Sequence, residues 1–423
     1  MRNKEKYRFQ VGFDVDSYFK DPGVPPKAEI NTYPTIEESN HIVKDYFNEK
    51  WRNHVREPIG NLKFPFIVPG SVYDQLWDWD SFFIGCALPD EGLEFAKGSV
   101  LNLVTNINEQ GCPPKLVQGT GKLQFGHPYP IHAQFAYIVA KRMGDFSWIE
   151  QIWDNLMKIV RWYEQETMVE NRFVWVAQSG IDNNPSVYGR TKKTSAGIDL
   201  ACWHYREYKA YEKLSSVLNK NEENRFREKA ECLKNQIQTD FWDVMDDFFY
   251  NIDCSVNNRV CSMQEVKWNS YLKFRNWASL FPMWAKAASD EQVKILRQVI
   301  MSPDEFLSCC GIRSHSAIEP VYNNVPMGNP SNWQGPVWGL STFVTGYALA
   351  KYGYKEDAIE VCSRLIRTYA ADILKNGCVH EFYHGDTGQP LIKPGFMSWN
   401  LLALHVLENI NEGKDCTSLD VLD

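Results

Sequence analysis

The stretch Phe146-Ser-Trp-Ile-Glu-Gln-Ile-Trp-Asp-Asn-Leu-Met-Lys-Ile-Val-Arg-Trp-Tyr-Glu-Gln-Glu-Thr167 carries the clearest pattern in the chain. Its apolar positions Phe146, Ile149, Ile152, Trp153, Leu156, Ile159, Val160 and Tyr163 step by three or four. That spacing puts them on one face of a helix. Upstream, 37–53, 91–109 and 131–143 read the same way, the last one after the breaker Gly126-His-Pro-Tyr-Pro130. Downstream, helices are expected over 195–218, 226–237, 276–288, 291–301, 333–352, 355–374 and 396–409. The section 241–262 interrupts the series, where Phe248-Phe-Tyr-Asn-Ile252 followed by Asn257-Asn258 predicts a short β-hairpin.

About twelve helices result, with no strand–helix alternation of the kind that builds a parallel sheet and no crisp repeat. The class is all-α, and a ring of helix pairs with long loops gathered at one end accommodates the pattern. No linker rich in Pro, Gly or Ser divides the chain. One domain over 36–423 is expected, preceded by an irregular extension over 1–35 that is rich in Pro, Lys and Asp.

Hydrophobic residues make up 44% of the 423, enough for a sizeable core. There are 15 Trp, 20 Tyr and 23 Phe, and many Trp fall in polar loops, where an indole offers a flat wall to the C–H face of a sugar ring. The net charge of −8 is spread over 45 basic and 53 acidic residues without a basic stripe, which argues against a nucleic-acid partner. No apolar run reaches about 18 residues, and the start Met1-Arg-Asn-Lys-Glu-Lys has no apolar signal core. Eleven cysteines, an odd number without C-x-x-C spacing, fit buried thiols in a reducing compartment. A cytoplasmic location without membrane contact is therefore expected.

Four loops concentrate Trp, carboxylates, Asn and Gly. In Leu76-Trp-Asp-Trp-Asp80, Trp77 or Trp79 offers a ring wall and Asp78 or Asp80 a hydroxyl partner. The bland alternative is a helix start with acids at its positive end. In Gln178-Ser-Gly-Ile-Asp182-Asn-Asn-Pro185, Gly180 and Pro185 forbid a regular helix and Asn183 and Asn184 favour a turn. An acid there either bonds its own backbone in the turn or, among aromatics that thin the water, keeps its proton near neutral pH. The third loop is Asn329-Pro-Ser-Asn-Trp333-Gln-Gly-Pro-Val-Trp338, with Trp338 as apt for the core as for a ligand wall.

The fourth, His380-Glu-Phe-Tyr-His384, matches H-E-x-x-H, which on a helix binds zinc. Gly377 before it and Gly385, Gly388 and Pro390 after it leave scarcely room for a helix. No metal and no cofactor are expected, and Glu381 remains available as a carboxylate base. Asp182 and Glu381 are the best pair for acid–base work. Inverting glycoside hydrolysis uses two carboxyls about 6.5–9.5 Å apart, and local sequence leaves open which is the acid. Trp79 and Trp333, in loops rather than on an apolar stripe, are expected to be ligand walls. Trp153 is expected to be core.

Taken in order, Trp77-Asp-Trp-Asp80-Ser-Phe-Phe, Pro130-Ile-His-Ala133, Ser179-Gly-Ile-Asp182-Asn, Asn332-Trp-Gln-Gly-Pro-Val-Trp338, Glu381-Phe-Tyr with Thr387-Gly388, and Trp399-Asn400 resemble a known set. They are similar to the helical-barrel glycoside hydrolases that group trehalases, family 63 processing α-glucosidases and bacterial mannosylglycerate/glucosylglycerate hydrolases. The mannosylglycerate hydrolase-like members resemble this chain most. The resemblance implies an (α/α)6 barrel and an α-glycosidase acting with inversion, with Asp182 as general acid and Glu381 as general base. It implies Trp79 and Asp80 at the innermost sugar and Trp333, Trp338 and Trp399 as further walls. Trp77, Gln178 and Gln334 complete the candidate substrate contacts, and the expected partner is a small carbohydrate. The chain departs from the family pattern at Gln178 (commonly Glu), Gln334 (commonly Arg) and Asn184 (commonly Ser). Two of these remove charges that bear on an anionic substrate. The rival readings are a sugar epimerase using paired histidines (His132, His204, His315, His380) and a non-catalytic carbohydrate-binding protein.

Overall fold

Segments with no amphipathic pattern, rather than the periodic ones, form the centre of the molecule. The computed structural model describes residues 33–255, 269–325, 331–415, 417 and 419–422. Its helices are α1 (Ile36–Lys50), α2 (Asp78–Ala87), α3 (Leu93–Thr105), α4 (His132–Met143), α5 (Trp153–Glu166) and α6 (Ile198–Val217). There follow α7 (Glu223–Asp240), α8 (Phe281–Trp284), α9 (Asp290–Ile300), α10 (Gly339–Lys351), α11 (Lys355–Asn376), α12 (Val406–Glu412) and α13 (Leu419–Leu422). A 3-10 segment spans Ser398–Leu404.

Contacts run from α2 to α4, α6, α8, α10 and the 3-10 segment, which closes back on α2. This is an inner ring of six. Around it α3 packs on α2 and α4, α7 on α6, α11 on α10, and α1 on α11 and the 3-10 segment. An inner element has neighbours on every side, so it has no wet face and no amphipathic stripe. Every residue of α2 is buried. An outer helix has one wet face, and α5 buries Trp153, Leu156, Ile159, Val160 and Tyr163 while leaving its polar side out. The periodicity of 146–167 reports an outer helix, and its first turns, Ser147–Ile152, are 3-10.

Two-residue strands staple the loops that join the rings. Leu116–Val117 pairs with both Leu76–Trp77 and Leu123–Gln124, and Val337–Trp338 pairs with Phe382–Tyr383. Leu76–Trp77, Ser195–Ala196 and Val337–Trp338 lead into α2, α6 and α10.

Several expectations change. Of the two readings of the Trp77–Asp80 stretch, the helix start holds rather than the loop: Asp78, Trp79 and Asp80 form the first turn of α2. The helix expected over 333–352 begins only at Gly339, with Trp338 as its N-cap residue. The expected hairpin is instead two small sheets: Phe248–Phe249 with Trp242–Asp243, and Asn251–Asp253 with Tyr271–Leu272 and Ser195–Ala196. Asn257 and Asn258 lie outside the described residues. Of the extension over 1–35 only Tyr33, Pro34 and Thr35 are described, and Thr35 caps α1 in a reciprocal capping box with Glu38. Among the described residues no helix is long and apolar enough to cross a membrane.

One buried polar tie joins two inner helices. The Glu207 carboxylate of α6 accepts from the backbone N–H groups of Ala133 (2.6 Å) and Gln134 (3.1 Å) in the first turn of α4. Those donors have no partner within their own helix. Burial pushes Glu207 up to about 7, against the pull of these bonds. Glu207→Ala leaves both donors buried and unpaired, at a cost of about 2–4 kcal/mol. Thermal unfolding should show a lower Tm, while KM should stay unchanged because Glu207 does not line the cavity described next.

Candidate active site

The N-terminal turn of α2, the loop before α10 and the start of the 3-10 segment meet around a cavity of about 340 Å3, within the size range of small-molecule sites. Of the residues singled out in the sequence, Trp77, Trp79, Asp80, Gln178, Asp182, Trp333, Glu381 and Trp399 line it. Gln334 and Trp338 do not. Ser331, from the third loop, also lines it, as do Tyr73, Lys115, Gln124 and Phe396, which carry no motif that sequence reading could have used. Lys115 arrives through the pairing of Leu116–Val117 with Leu76–Trp77, and its carbonyl accepts from the Asp78 N–H at 3.0 Å.

The aromatic wall is stacked in depth. Trp333 lies face to face with Trp338 (4.0 Å, 4°) and parallel to Trp277 (5.6 Å, 12°). It is 1% exposed, so it is core as well as wall, contrary to the expectation of a ligand wall alone. Trp338 is wholly buried behind it, and its indole N–H donates to the Asn332 carbonyl at 2.9 Å. On the other side Trp79 stacks on Tyr129 (4.7 Å, 5°), with Trp399 edge-on at 5.5 Å. Gly180 lies against that stack. A Cβ there would come within 2.8 Å of the Tyr129 ring and 2.9 Å of the Trp79 ring, so the position requires glycine.

The Asp182 loop is clipped to the Trp333 loop through Asn183. The Asn183 amide donates to Asn332 Oδ1 (2.8 Å), and its Oδ1 accepts from the Trp333 N–H (2.6 Å). Gln334 donates to the Asn183 carbonyl at 2.9 Å. Gln334 therefore holds the Asp182 loop from behind instead of touching the cavity, which corrects its place among the candidate substrate contacts. Gln178 donates to the Asp182 carbonyl at 2.6 Å, and Ser331 hydrogen-bonds the carboxyl.

Three carboxyls share the cavity. Asp80 accepts from Ser398 Oγ at 2.8 Å, and burial raises it to about 7 against that bond. Asp78 instead accepts from the Tyr129 N–H at 2.9 Å and is wholly buried, a structural tie. Burial raises Asp182, with Lys115 and Ser331 opposing. Glu381 is 4% exposed, and its Oε2 is buried without a hydrogen-bond partner. Burial again is the main cause that raises it, with the charges of Asp182 and Asp80 adding and Lys393 opposing.

The H-E-x-x-H stretch is extended. Glu381 N–H donates to the Ile392 carbonyl at 2.9 Å, and Phe382–Tyr383 is a strand. His380 pairs with Asp372 at 2.8 Å, Tyr383 donates to the same Asp372 oxygen at 2.7 Å, and His384 Nδ1 accepts from the Asp386 N–H. Among the described residues no group of three His, Cys, Asp or Glu is placed to hold a metal ion. Asp372 thus anchors the residues on both sides of Glu381.

These placements set the expected behaviour of three variants. Trp77→Ala, at the half-buried rim, should weaken sugar binding about ten- to hundredfold with little change in Tm. Trp333→Ala should lose both, since truncating a core tryptophan costs about 3–5 kcal/mol. Asn183→Ala should lower kcat more than it raises KM, because it frees the Asp182 loop. Calorimetry, sugar titration and steady-state rates on the same preparations check all three, and a Trp333→Ala protein with unchanged Tm would contradict the stack.

The family model for the mannosylglycerate hydrolase MGH1-like glycoside hydrolase domain matches residues 73–399, the span that runs from Tyr73 to Trp399 on the cavity wall. An uncharacterized protein of Borreliella burgdorferi is 23% identical over 269 residues, covering 63% of this chain and 49% of that protein, so the chain spans about half the length of that relative. The structure of the GH63 mannosylglycerate hydrolase from Thermus thermophilus, in complex with Tris and D-glycerate, superposes with a TM-score of 0.69 at 16% identity, over 87% of this chain and 100% of that one. The neutral trehalase Nth1 of Saccharomyces cerevisiae superposes with a TM-score of 0.60 at 15% identity, over 84% and 77%. These likenesses are in fold, and they agree with the closed ring of helix pairs: the architecture is an (α/α)6 barrel. With the family match covering most of its length, the chain belongs to the mannosylglycerate hydrolase MGH1-like glycoside hydrolases.

Proposed function

We propose that the chain hydrolyses a small α-glucoside or α-mannoside with inversion, with Asp182 as general acid and Glu381 as general base. The observation that carries this reading is two carboxyls from separate loops on one aromatic-walled cavity, both raised by burial. Asp182 gives its proton to the departing glycosidic oxygen while Glu381 takes one from the attacking water. The carboxyl pair ends each turnover with its proton on Glu381 and must return it to Asp182 through solvent. The chemistry uses no cofactor.

The sign of the pH dependence follows. Rate falls as pH drops and Glu381 gains a proton, and it falls as pH rises and Asp182 loses one. Both groups are raised, so the bell should centre nearer neutrality than the value of about 4 typical of free carboxyls.

The histidines an epimerase would need fit less well. His132, His204 and His315 are buried away from the cavity, and burial depresses all three. Lys115, the cation among the lining residues, favours an aglycone with a carboxylate, such as a glycosylglycerate, over a neutral disaccharide. Release of sugar from α-linked disaccharides, glucosylglycerate and mannosylglycerate tests the substrate. Lys115→Met should raise KM about tenfold or more for the glycerates alone.

Asp182→Asn and Glu381→Gln should each lower kcat on the glycoside by about 10²–10⁴-fold. On α-glucosyl or α-mannosyl fluoride, whose leaving group departs without a proton, Asp182→Asn should be largely spared and Glu381→Gln should not. A first-formed α-anomer, seen by proton NMR, would refute inversion, and loss of Asp182→Asn and Glu381→Gln activity in equal measure on the fluoride would refute the assignment of roles.

A further inference from the structure

The strand that carries Glu381 has a neighbour that no motif marks. Glu381 N–H donates to the Ile392 carbonyl, Leu391 N–H to the Phe382 carbonyl (3.1 Å) and Gly395 N–H to the Val379 carbonyl (2.8 Å). This brings Lys393 alongside Glu381. Lys393 has φ +53° and precedes Pro394. A lysine gains nothing from the left-handed region, and a residue before proline is pushed towards extended backbone. Such strain persists only where the surroundings impose it, and it gathers at functional sites. The residue is 8% exposed, and its ammonium lies 5.6 Å from the centre of the Tyr73 ring, whose residue lines the cavity. Lys393 itself does not line the cavity.

The charged and titratable groups around Glu381 are Asp182, Asp80, Tyr73 and Lys393. Lys115 faces Asp80 and Asp182 instead. His380 and His384 are held by Asp372 and by the Asp386 N–H. Among the described residues around Glu381, only Lys393 favours its charged form. Catalysis with the roles proposed above needs one proton on the pair, and on Asp182. Burial and two like charges work against that arrangement at Glu381.

We propose that Lys393 is the positioning residue of the base: held behind the cavity wall in a strained backbone, its ammonium draws the Glu381 carboxyl towards its ionised form and so favours leaving the shared proton on Asp182. This rests on the assignment of Glu381 as base. The charge acts through space without touching substrate, so it sets the ionisation of the base and adds no affinity.

The test is kcat/KM against pH for release of fluoride from α-glucosyl or α-mannosyl fluoride, in wild type, Lys393→Met and Lys393→Arg. Removing a nearby opposite charge moves a carboxyl by about 1–3 pH units. The acidic limb of Lys393→Met should therefore move up by about one unit or more. Its rate should be about tenfold or more below wild type on that limb and should recover as pH rises. Lys393→Arg should restore the wild-type limb. Should the methionine variant fail to fold, Lys393→Gln removes the same charge and gives the same reading. A limb that stays in place in the neutral variants, or a loss equal at every pH, overturns the proposal and leaves Lys393 a structural tie. Glu381→Gln is run in parallel. If it releases fluoride at the wild-type rate, the base itself is misassigned. If it is inactive while the neutral Lys393 variants keep the wild-type limb, only the role of Lys393 falls.

Discussion

Three carboxyls in one poorly hydrated cavity repel one another, and the protein must hold them there. Asp80, Asp182 and Glu381 lie where burial alone raises each of them, so any ionised member makes ionisation of the next harder. Left to itself such a cluster would open to water. Each acid is therefore fastened through its own backbone or a dedicated partner: Asp80 by the first turn of α2 and Ser398, Asp182 by Gln178 and the Asn183 clip, and Glu381 by its strand. The Oε2 of Glu381 is left unpaired, an arrangement costly for stability and suited to a group that takes a proton from water.

The stabilisation that offsets this comes from the aromatic layers. Trp277, Trp333 and Trp338 form a parallel stack, and Trp79 with Tyr129 forms a second one. Stacked aromatics contribute beyond their buried area. They also keep the wall rigid, so a sugar meets a surface already formed. One consequence is that wall and core are not separable here. Trp333 serves both, and a substitution that improved access to the cavity at that position would loosen the barrel.

Legibility in the sequence followed burial geometry. An outer helix has a wet face and a dry face, so α5 and α11 declare themselves by periodicity. An inner helix is dry on all sides, and α2, with the sequence Asp-Trp-Asp-Ser-Phe-Phe-Ile-Gly-Cys-Ala, has no face to declare. Its acids and indoles suit a loop as well as a helix start, where the macrodipole favours carboxylates, and the helix start is what forms. The order of the loop motifs was readable because each loop is chemically unusual. The places of Trp338 and Gln334 were not readable, because a Trp or Gln in a turn faces either the cavity or the layer behind it. Lys115 could not be found at all, since only strand pairing brings it to the wall.

Glu381 shows why spacing is not geometry. H-E-x-x-H defines a zinc site only when the helical repeat brings both histidines to one face. In an extended segment residues four apart lie about 13 Å from each other along the chain, and His380 is drawn away to Asp372. Asn400 and Tyr369 continue that support: Asn400 donates to the His380 carbonyl at 3.0 Å, and Tyr369 donates to Asn400 Oδ1 at 2.7 Å. The same extended backbone that separates the histidines carries Glu381 to the cavity wall, between two residues anchored on one buried aspartate. Glycines at 377, 385 and 388 were the sequence sign that the helix was absent. Their effect is to let a strand be built there, and the strand is what fixes the carboxylate in place.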